Sequence, residues 1–242
     1  MVTGSNLTYI GKDLEAMDFA VAYHRWILDL VRPWLGNDLV EVGAGTGSFS
    51  EMLLQEKPDS LTLVEPSEMF EQLNAKFGER PSATRIKLYQ NKFDGVSEKI
   101  RDAGPPDTII YINVLEHIED DRTELAHIHR TLAPSGSIIL FVPALQVLLS
   151  DFDKHIGHFR RYGKSELQGK LKAAGFRLVM LRWFDIVGIL PWLIKYRILG
   201  STQMQSGAVQ LYDRVVVPVM RPFESLIHPP VGKNLIAVAV RD

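Results

Sequence analysis

The stretch Asp38-Leu-Val-Glu-Val-Gly-Ala-Gly-Thr-Gly-Ser-Phe-Ser50 decides the fold. Its apolar run, residues 39–42, predicts a short β-strand, and the amphipathic residues 49–55 predict a helix directly behind it. Between the two, glycine occupies alternate positions: Gly43, Gly45 and Gly47. Glycine permits unusual φ values and lets a ligand approach the backbone with no Cβ in the way. A helix N-terminus behind such a turn also offers unpaired N–H groups to a carboxylate or phosphate.

The spacing of these glycines separates classes of ligand. The dinucleotide fingerprint G-x-G-x-x-G would place its third glycine or alanine at Ser48, whereas the third glycine here is Gly47. A tight turn that binds no ligand is the alternative interpretation. Glu65 favours a ligand, because it ends the next predicted strand, 18 residues past Gly47, where a doubly wound fold places a carboxylate on a ribose. The alternative for Glu65 is a solvated acid at a helix N-terminus.

Strands and helices alternate along the rest of the chain. After the first strand, strand patterns occupy residues 61–65, 85–89, 108–113, 137–142, 176–181 and 235–240. Helical patterns lie between them at 67–77, 125–132 and 165–174, and residues 121–124 have the form of a helix-opening capping box. This alternation with short connections predicts an α/β fold, with a mostly parallel sheet covered by helices on both faces.

Two further segments flank this core. Apolar residues recur every three or four positions from Leu14 to Val31, which predicts an N-terminal helix within residues 1–36. Tyr23 and Trp26 lie off the apolar stripe, so they either pack against the core edge or belong to a lid that approaches a ligand. Residues 184–230, hereafter the cap, are too apolar for a solvated loop and predict a partly helical cover over the strand ends. A single domain is predicted, with a core at 37–183 and the last strand within 231–242.

Composition excludes several classes of function. The net charge of −2 and the scattered Lys and Arg residues argue against a nucleic-acid partner. The absence of cysteine excludes disulfides, thiolate zinc sites and cysteine nucleophiles, and it fits the cytoplasm. No signal peptide is predicted. The longest apolar run, residues 186–194, has nine residues, far short of the roughly 20 that span a bilayer, so we predict a soluble protein and leave peripheral membrane contact open.

An ordered set of motifs links the chain to a known family. The motifs are Tyr23-His-Arg-Trp26, Glu41-x-Gly-x-Gly-x-Gly47, Glu65, Asn113-Val-Leu-Glu-His-Ile118, Val142-Pro-Ala144 and Gly157-His-x-Arg-Arg-Tyr162. Together they resemble the class I S-adenosylmethionine (SAM)-dependent methyltransferases of the small-molecule type. The resemblance is greatest to a bacterial branch found beside, or fused to, glycosyltransferases of lipid-linked sugar and polysaccharide pathways. It implies a Rossmann-like, doubly wound, mostly parallel seven-stranded sheet whose last strand is reversed.

The resemblance also implies SAM as cofactor and S-adenosylhomocysteine as product. The glycines would wrap the methionine portion, and Glu41 would contact its amino group through water. Glu65 would hold the ribose, and Met69 and Phe93 would flank the adenine. Asp94 would meet the adenine amine, although Phe93 and Asp94 are alternatively plain loop residues. The predicted cofactor residues are Tyr23, Glu41, Gly43, Ala44, Gly45, Gly47, Glu65, Pro66, Met69, Phe93, Asp94, Asn113 and Val114.

Three residues are candidates for catalysis: His117, His158 and Tyr162. His117 follows the fourth strand and titrates near neutral pH, so it is the first candidate for a general base. Its alternative is a helix-start residue that bonds the backbone. The other two lie after the fifth strand, in a segment that normally borders the acceptor. There, Arg160 and Arg161 either bind an anionic acceptor group or pair internally with Asp151 or Asp153.

No metal is predicted, because Asp151, Asp153, His155 and His158 have irregular spacing and match no metal motif. The apolar cap favours a small-molecule acceptor with an apolar portion: a sugar, a lipid-linked compound or an aromatic quinone precursor. Methylation at O, N or C stays open. Alternatively the cap packs on the sheet or forms a dimer, so both monomer and homodimer remain. Two rival functions are a SAM-binding module without turnover and a nucleotide-dependent oxidoreductase on a related fold.

Overall fold

The computed structural model describes residues 20–242, and within them the chain forms a seven-stranded sheet. The strands are β1 (Asp38–Val42), β2 (Ser60–Val64), β3 (Arg85–Tyr89), β4 (Thr108–Ile112), β5 (Ser137–Pro143), β6 (Phe176–Phe184) and β7 (Asn234–Arg241), in the spatial order β3-β2-β1-β4-β5-β7-β6. Strands β1 to β5 pair in parallel. Strand β7 runs antiparallel to both β5 and β6. The predicted doubly wound sheet with a reversed last strand is confirmed.

Helices cover both faces of this sheet. They are α1 (Val21–Val31), α2 (Ser48–Gln55), α3 (Met69–Phe77), α4 (Ser97–Ala103), α5 (Asp121–Thr131), α6 (Asp151–His155) and α7 (Lys164–Ala173). Short 3₁₀ turns follow β4 at Leu115–His117 and β5 at Gln146–Leu148. The helix predicted from Leu14 is seen from Val21 onward, and the part before residue 20 lies outside the described residues.

The alternation of side chains along the strands divides the interior into two apolar layers. On β1, Val40 and Val42 face a layer that contains Leu125 of α5 and Leu167 of α7. Leu39 faces the opposite layer, which contains residues of α1, α2, α3 and the cap. Because both faces are buried, the central strands are almost continuously apolar, as a parallel sheet requires.

The cap is largely helical, as predicted. It contains α8 (Ile189–Trp192), which continues in a π-helical turn (Leu193–Ile198), and α9 (Ser206–Leu211), which continues through a second π-helical turn (Tyr212–Val216) into α10 (Val217–Leu226). Two buried carboxylates hold it in place: Asp213 attaches it to the core, and Glu224 joins its last helix to its first residues. Asp213 accepts hydrogen bonds from Ala22 N (2.9 Å) and Tyr23 N (2.8 Å) at the start of α1. Glu224 accepts from Asp185 N (3.0 Å), directly after β6.

Three local predictions need correction. The N-cap of α5 is Asp120, whose side chain accepts from Thr123 N at 3.1 Å, so the predicted capping box starts one residue too late. Its supposed partner Glu124 instead accepts from the Tyr111 hydroxyl at 2.6 Å. Helix α4 was not predicted. Nor was helix α6, after β5, which opens with a capping box between Ser150 and Asp153.

Candidate active site

The glycine turn follows β1, and its glycines occupy the left-handed region with φ of +71°, +56° and +82°. Two of them are needed for packing. A Cβ on Gly43 would lie 2.4 Å from Val114 Cγ2, and one on Gly47 would lie 2.3 Å from Phe77 Cε2. A Cβ on Gly45 would meet only the end of Met69, in ordinary van der Waals contact at 3.9 Å, so a small group fits beside this glycine without a clash. The turn therefore leaves room for a ligand at Gly45.

Glu65 closes one side of the turn. Its Oε2 accepts from Gly45 N at 2.9 Å, and its Oε1 accepts from Ser67 N at 2.9 Å. The carboxylate is almost fully buried, and Pro66 beside it is half-buried. Oε1 also accepts from Ser67 Oγ at 2.6 Å, so both of its lone pairs are engaged, whereas Oε2 keeps acceptor capacity for a ribose hydroxyl. The end of the Met69 side chain lies 3.9 Å from the position of a Cβ on Gly45, and its contact with adenine stays a prediction.

Glu41 lies beneath the turn. It is buried, and it accepts a hydrogen bond from Ser50 Oγ on α2. Burial raises the pKa of Glu41 to about 8, although the bond from Ser50 opposes the shift. Its contact in this structure is thus between strand and helix. The turn residue Ala44 is also buried and donates its N–H to Val64 O at 3.2 Å.

The predicted adenine residues behave differently from one another. Phe93 is buried in the apolar layer that contains α5, edge-on to Tyr111 with ring centroids 6.0 Å apart. Its ring is therefore engaged by the core. Asp94 is exposed, and its carboxylate accepts from Gly95 N at 2.8 Å. Asp94 is therefore accessible in the segment after β3. Stacking of an adenine on Phe93 would require the Phe93 ring to leave the core.

The residues after β4 join the glycine turn to a cavity. Asn113 has φ of +54°, a conformation that Asn tolerates better than other non-glycine residues, and its N–H donates to Phe141 O at 2.8 Å. Val114 packs against Gly43, as the close approach of its Cγ2 indicates. Asn113 itself lines the cavity. A ligand at the turn and a ligand in the cavity would therefore meet at Asn113.

The cavity has a volume of about 240 Å³ and lies between the ends of β4 and β5 and the cap. Most of its wall is apolar or aromatic, with Phe141, Phe152, Pro191, Trp192 and Tyr196 among the lining residues. One group of its polar residues, hereafter the polar end, follows β4 and β5 and consists of Glu116, His117, His158 and Arg161; a second group, which includes Lys195, Lys233 and Asn234, lies on the side of the cap and β7. Such a pocket, apolar with a few convergent polar groups, is typical of a small-molecule site.

A hydrogen-bonded chain of charged groups supports the polar end. His158 Nδ1 lies 3.0 Å from Asp153 Oδ1, and Arg161 Nη2 lies 2.8 Å from the same oxygen. Burial alone would raise the pKa of Asp153, but the bonds from His158 and Arg161 hold it well below its usual value. Because an ionised carboxylate only accepts, the proton of the neutral imidazole sits on Nδ1, and Nε2 presents a lone pair.

His117 and Glu116 complete the polar end. The rings of His117 and His158 meet edge to face with centroids 4.5 Å apart, and His158 Nε2 lies 3.8 Å from Glu116 Oε1. Burial lowers the pKa of both histidines, that of His117 to about 3, so both are neutral at pH 7. Burial raises the pKa of Glu116 to about 8. The structure thus brings the predicted catalytic candidates His117 and His158 into one cluster, together with Glu116.

Tyr162 does not belong to this cluster. Its ring is fully buried, and its hydroxyl lies 2.8 Å from Asp121 Oδ2 and 3.2 Å from Leu115 O. Burial and the charge of Asp121 raise its pKa well above the usual value. We therefore correct the catalytic assignment: Tyr162 joins the loop to α5. Arg161 likewise follows the structural alternative by pairing with Asp153, and Arg160 pairs with Asp121 at 2.6 Å.

Tyr23 lines the opposite wall of the cavity. It is buried, and its hydroxyl donates to Asp185 Oδ2 at 3.0 Å. Lys233 pairs with the same oxygen at 3.0 Å, and the Tyr212 hydroxyl donates to the other. Both interpretations of Tyr23 are therefore met in part, because the residue packs in the core and also faces the cavity. Trp26 packs against Phe184.

A family model described as a methyltransferase domain matches residues 18–181. The chain belongs to this methyltransferase family. A curated relative, the ribosomal RNA small subunit methyltransferase H of Mycolicibacterium gilvum, is 28% identical over 215 residues, which cover 82% of the present methyltransferase. The chain spans 57% of the length of that relative. The predicted SAM-dependent methyltransferase class is confirmed by the family.

Solved structures of other methyltransferases share the fold. A SAM-dependent methyltransferase from Archaeoglobus fulgidus superposes with a TM-score of 0.60 at 17% identity, covering 94% of this chain and 98% of that one. The N-methyltransferase NodS from Bradyrhizobium japonicum, in complex with S-adenosyl-l-homocysteine, gives 0.58 at 15% identity over 96% and 94%. The cyclopropane synthase MmaA2 from Mycobacterium tuberculosis gives 0.60 at 14% identity over 91% and 84%. At these identities the likeness concerns the fold.

Sequence reasoning missed part of this methyltransferase site. Glu116, Tyr212, Lys233 and Asn234 all line the cavity, but only Glu116 stood within a recognised motif. Its place beside His117 in that motif was a usable signal. Asp151 and His155 are exposed, away from the cluster that contains His158. Across residues 20–242, no helix has the length and apolar character needed to cross a membrane.

Proposed function

We propose that this chain transfers the methyl group of SAM, held at the glycine turn, to a small molecule with an apolar portion, held in the cavity. The observation that carries the proposal is the position of Asn113, which borders the turn through Val114 and also lines the cavity. A nucleophile in the polar end attacks the methyl carbon, the S–C bond breaks, and its electron pair stays on sulfur as S-adenosylhomocysteine forms. Holding the two reactants in line supplies about 7–11 kcal/mol in favourable cases.

The residues that line the cavity indicate the kind of acceptor that it would bind. Aromatic and aliphatic side chains of the cap and β5 would bury an apolar portion, and Glu116, His117 and His158 would face its reactive hydroxyl or amine. The resemblance to methyltransferases of lipid-linked sugar and polysaccharide pathways supports the same kind of acceptor. We therefore propose a hydroxyl-bearing, lipid-linked or aromatic compound. The core and cap boundaries and the cytoplasmic location stay predictions.

A radiometric assay tests this function. Purified protein is incubated with methyl-labelled SAM and with polyprenyl-linked sugars, hydroxylated aromatic compounds or ribosomal RNA, and S-adenosylhomocysteine is quantified. Label transfer to a lipid-linked or aromatic acceptor is the expected result. Transfer to RNA alone would overturn the proposed acceptor and agree with the activity named for the Mycolicibacterium relative. SAM binding without S-adenosylhomocysteine formation on any acceptor would indicate a binding module. Thermal stabilisation of the protein by NAD(P), and not by SAM, would indicate an oxidoreductase.

We also propose that the cap contacts the surface of an anionic membrane, from which such an acceptor would enter. Its helices carry exposed apolar side chains: Leu190, Ile198, Leu199, Leu211, Val215, Val219, Phe223, Leu226 and Ile227. The three acidic residues of the cap, Asp185, Asp213 and Glu224, are buried, whereas Arg197 and Arg214 are exposed. Apolar side chains among basic ones are the chemistry that lies in an anionic interface.

A further inference from the structure

Within residues 20–242, Glu116 presents a buried carboxyl group without a hydrogen-bond partner at the polar end of the cavity. Its side chain is fully buried, and among the described residues neither carboxylate oxygen has a hydrogen-bond partner. Its backbone lies in the 3₁₀ turn after β4, which aims the carboxylate at the cavity. Buried carboxylates are normally paired, hydrogen-bonded or bound to a metal, because leaving one without a partner is costly. The residue therefore lacks a partner that the cavity could supply.

Two imidazole nitrogens lie next to this carboxylate. His158 is oriented by Asp153, so its Nε2 lone pair lies toward Glu116, 3.8 Å from Oε1. The ring of His117 contacts that of His158 and is hydrogen-bonded to the backbone of Gly157. One ligand atom from each of the three residues lies within 4.8 Å of the other two. A carboxylate or backbone partner on the second ring nitrogen is the usual companion of a metal-binding histidine.

We propose that Glu116, His117 and His158 bind one divalent transition-metal ion. Two imidazoles and one carboxylate form the face of a coordination sphere that suits Mn²⁺, Fe²⁺ or Zn²⁺. With metal–ligand bonds of about 2.0–2.2 Å, donor atoms on one ion lie roughly 3.0–3.5 Å apart, so atoms that now lie up to 4.8 Å apart would need to approach by up to roughly 1.8 Å through side-chain rotation. The ion would neutralise Glu116 and leave coordination positions open toward the cavity. This proposal departs from the sequence-based prediction of no metal.

A bound ion would also act on the acceptor, a role that rests on the proposed function. A hydroxyl that coordinates a divalent ion loses its proton more readily, because the metal stabilises the oxyanion. That oxyanion would lie at the polar end, beside Asn113 and hence beside the methyl donor. With its lone pair engaged by the ion, His158 would position the metal, and the proton would leave to solvent or to a neighbouring base.

Metal titration tests the site without any acceptor. Protein freed of metal with EDTA is dialysed and titrated with Mn²⁺, and free Mn²⁺ is followed by electron paramagnetic resonance, with Zn²⁺ competition as a second measurement. We expect one Mn²⁺ per chain. Glu116→Gln and His158→Asn should each weaken it by at least about 10-fold, since even outer-shell changes cost 10–100-fold. Asp151→Asn and His155→Gln are matched controls, because both residues are exposed in the same short helix α6.

The outcomes separate this inference from the proposed function. SAM affinity, measured by calorimetry, should stay unchanged in Glu116→Gln, which shows that the variant is folded. Absence of saturable Mn²⁺ or Zn²⁺ binding to the wild-type chain, or equal binding by Glu116→Gln, would overturn the metal site and leave a proton as the partner of Glu116. Suppose that the variants lose metal binding as expected, but that the wild-type chain methylates its acceptor equally fast with and without EDTA. The metal site is then supported, and only its role in methyl transfer is overturned. The metal titration needs no acceptor, so it tests the metal site even if no acceptor is found for the proposed function.

Discussion

At the scale of single residues, the glycines of one turn have different duties. Gly45→Ala places a methyl group beside Met69 without a clash, whereas Gly47→Ala places one against the Phe77 ring. Both variants bear the strain of a left-handed alanine, about 1–2 kcal/mol. We expect Gly45→Ala to lower SAM affinity by at least about 10-fold, or 1.4 kcal/mol, with little further loss of stability. Calorimetry with SAM and urea denaturation provide the two measurements.

Gly47→Ala is the matched control for that variant. Its clash should add about 1–3 kcal/mol of destabilisation, the usual cost of overpacking. If Gly45→Ala binds SAM normally, the space at Gly45 is not the cofactor site. The turn could be predicted from these alternating glycines, because each of them has a positive φ that glycine adopts readily. The sequence did not indicate which glycine has space for a ligand. That depends on Val114, which packs against Gly43, and on Phe77, which packs against Gly47, and both are distant in the chain.

Glu41 makes the stability of the protein depend on pH. Burial raises its pKa in the folded protein to about 8, from an ordinary value of 4.5. Between these pH values the folded chain holds a proton that the unfolded chain has lost, so the free energy of unfolding falls as pH rises. One proton contributes up to about 1.4 kcal/mol per pH unit in this window. Glu41→Gln, which keeps an acceptor for Ser50, should flatten the profile.

Urea denaturation from pH 5 to 8, with EDTA present, measures this slope. Glu116 also has a pKa raised to about 8, so part of the slope should persist in Glu41→Gln. The exposed Glu68→Gln is the control and should keep the wild-type profile. An unchanged slope in Glu41→Gln would show that Glu41 is ionised in the folded protein.

At the scale of elements, most strands were predictable: residues 108–112 are apolar and β-branched, as a central parallel strand needs, and residues 85–89 alternate polar and apolar side chains. Local helix signals were less reliable. The pattern at 121–124 matched a capping box, yet Glu124 is held by Tyr111 on the neighbouring strand, a tertiary contact that sequence spacing does not contain. Helix α4 has seven residues and helix α6 five, and segments this short show little periodicity.

Two adjacent aspartates at the start of α5 should therefore differ in their effect on stability. Asp120→Ala removes an N-cap and should cost about 1 kcal/mol. Asp121 is buried, and Arg160, Lys170 and the Tyr162 hydroxyl all converge on its Oδ2. Asp121→Ala removes the buried carboxylate that these three groups share and should cost up to about 3–5 kcal/mol, as for other broken buried pairs. Equal midpoints of the two variants in urea denaturation would contradict this difference.

At the scale of the whole molecule, the positions of the glycine turn and Glu65 were predictable and the cavity was not. The glycines and Glu65 follow β1 and β2 directly, so the order of strands and turns fixes their positions. The cluster of Glu116 and His158 joins residues 42 positions apart in the chain through two turns after β4 and β5. The cavity depends further on the placement of the cap, whose apolar composition fits packing, dimerisation and membrane contact equally well.

Membrane contact by the cap can be measured by co-sedimentation with vesicles. We expect binding to phosphatidylglycerol vesicles that exceeds binding to phosphatidylcholine vesicles and weakens with salt, because Arg197 and Arg214 face solvent beside the apolar side chains. Phe223→Asp and Leu226→Asp, both on the exposed side of α10, should each reduce binding to phosphatidylglycerol. Val179→Asp makes the same change on exposed β6, away from the cap, and should leave binding intact.

The alternative to membrane contact is a dimer in which a second copy of the chain covers the cap. In that case the wild-type chain would sediment as a dimer in the absence of lipid, Phe223→Asp would be monomeric, and phosphatidylglycerol vesicles would bind neither. A second copy of the chain would then cover the apolar side chains, and the acceptor would enter from solution. The membrane proposal requires the reverse order of effects: Phe223→Asp changes vesicle binding while the sedimentation coefficient in buffer stays that of the wild-type chain. Measuring both quantities on the same preparation separates the two assemblies, because only one of them depends on the charge of the lipid.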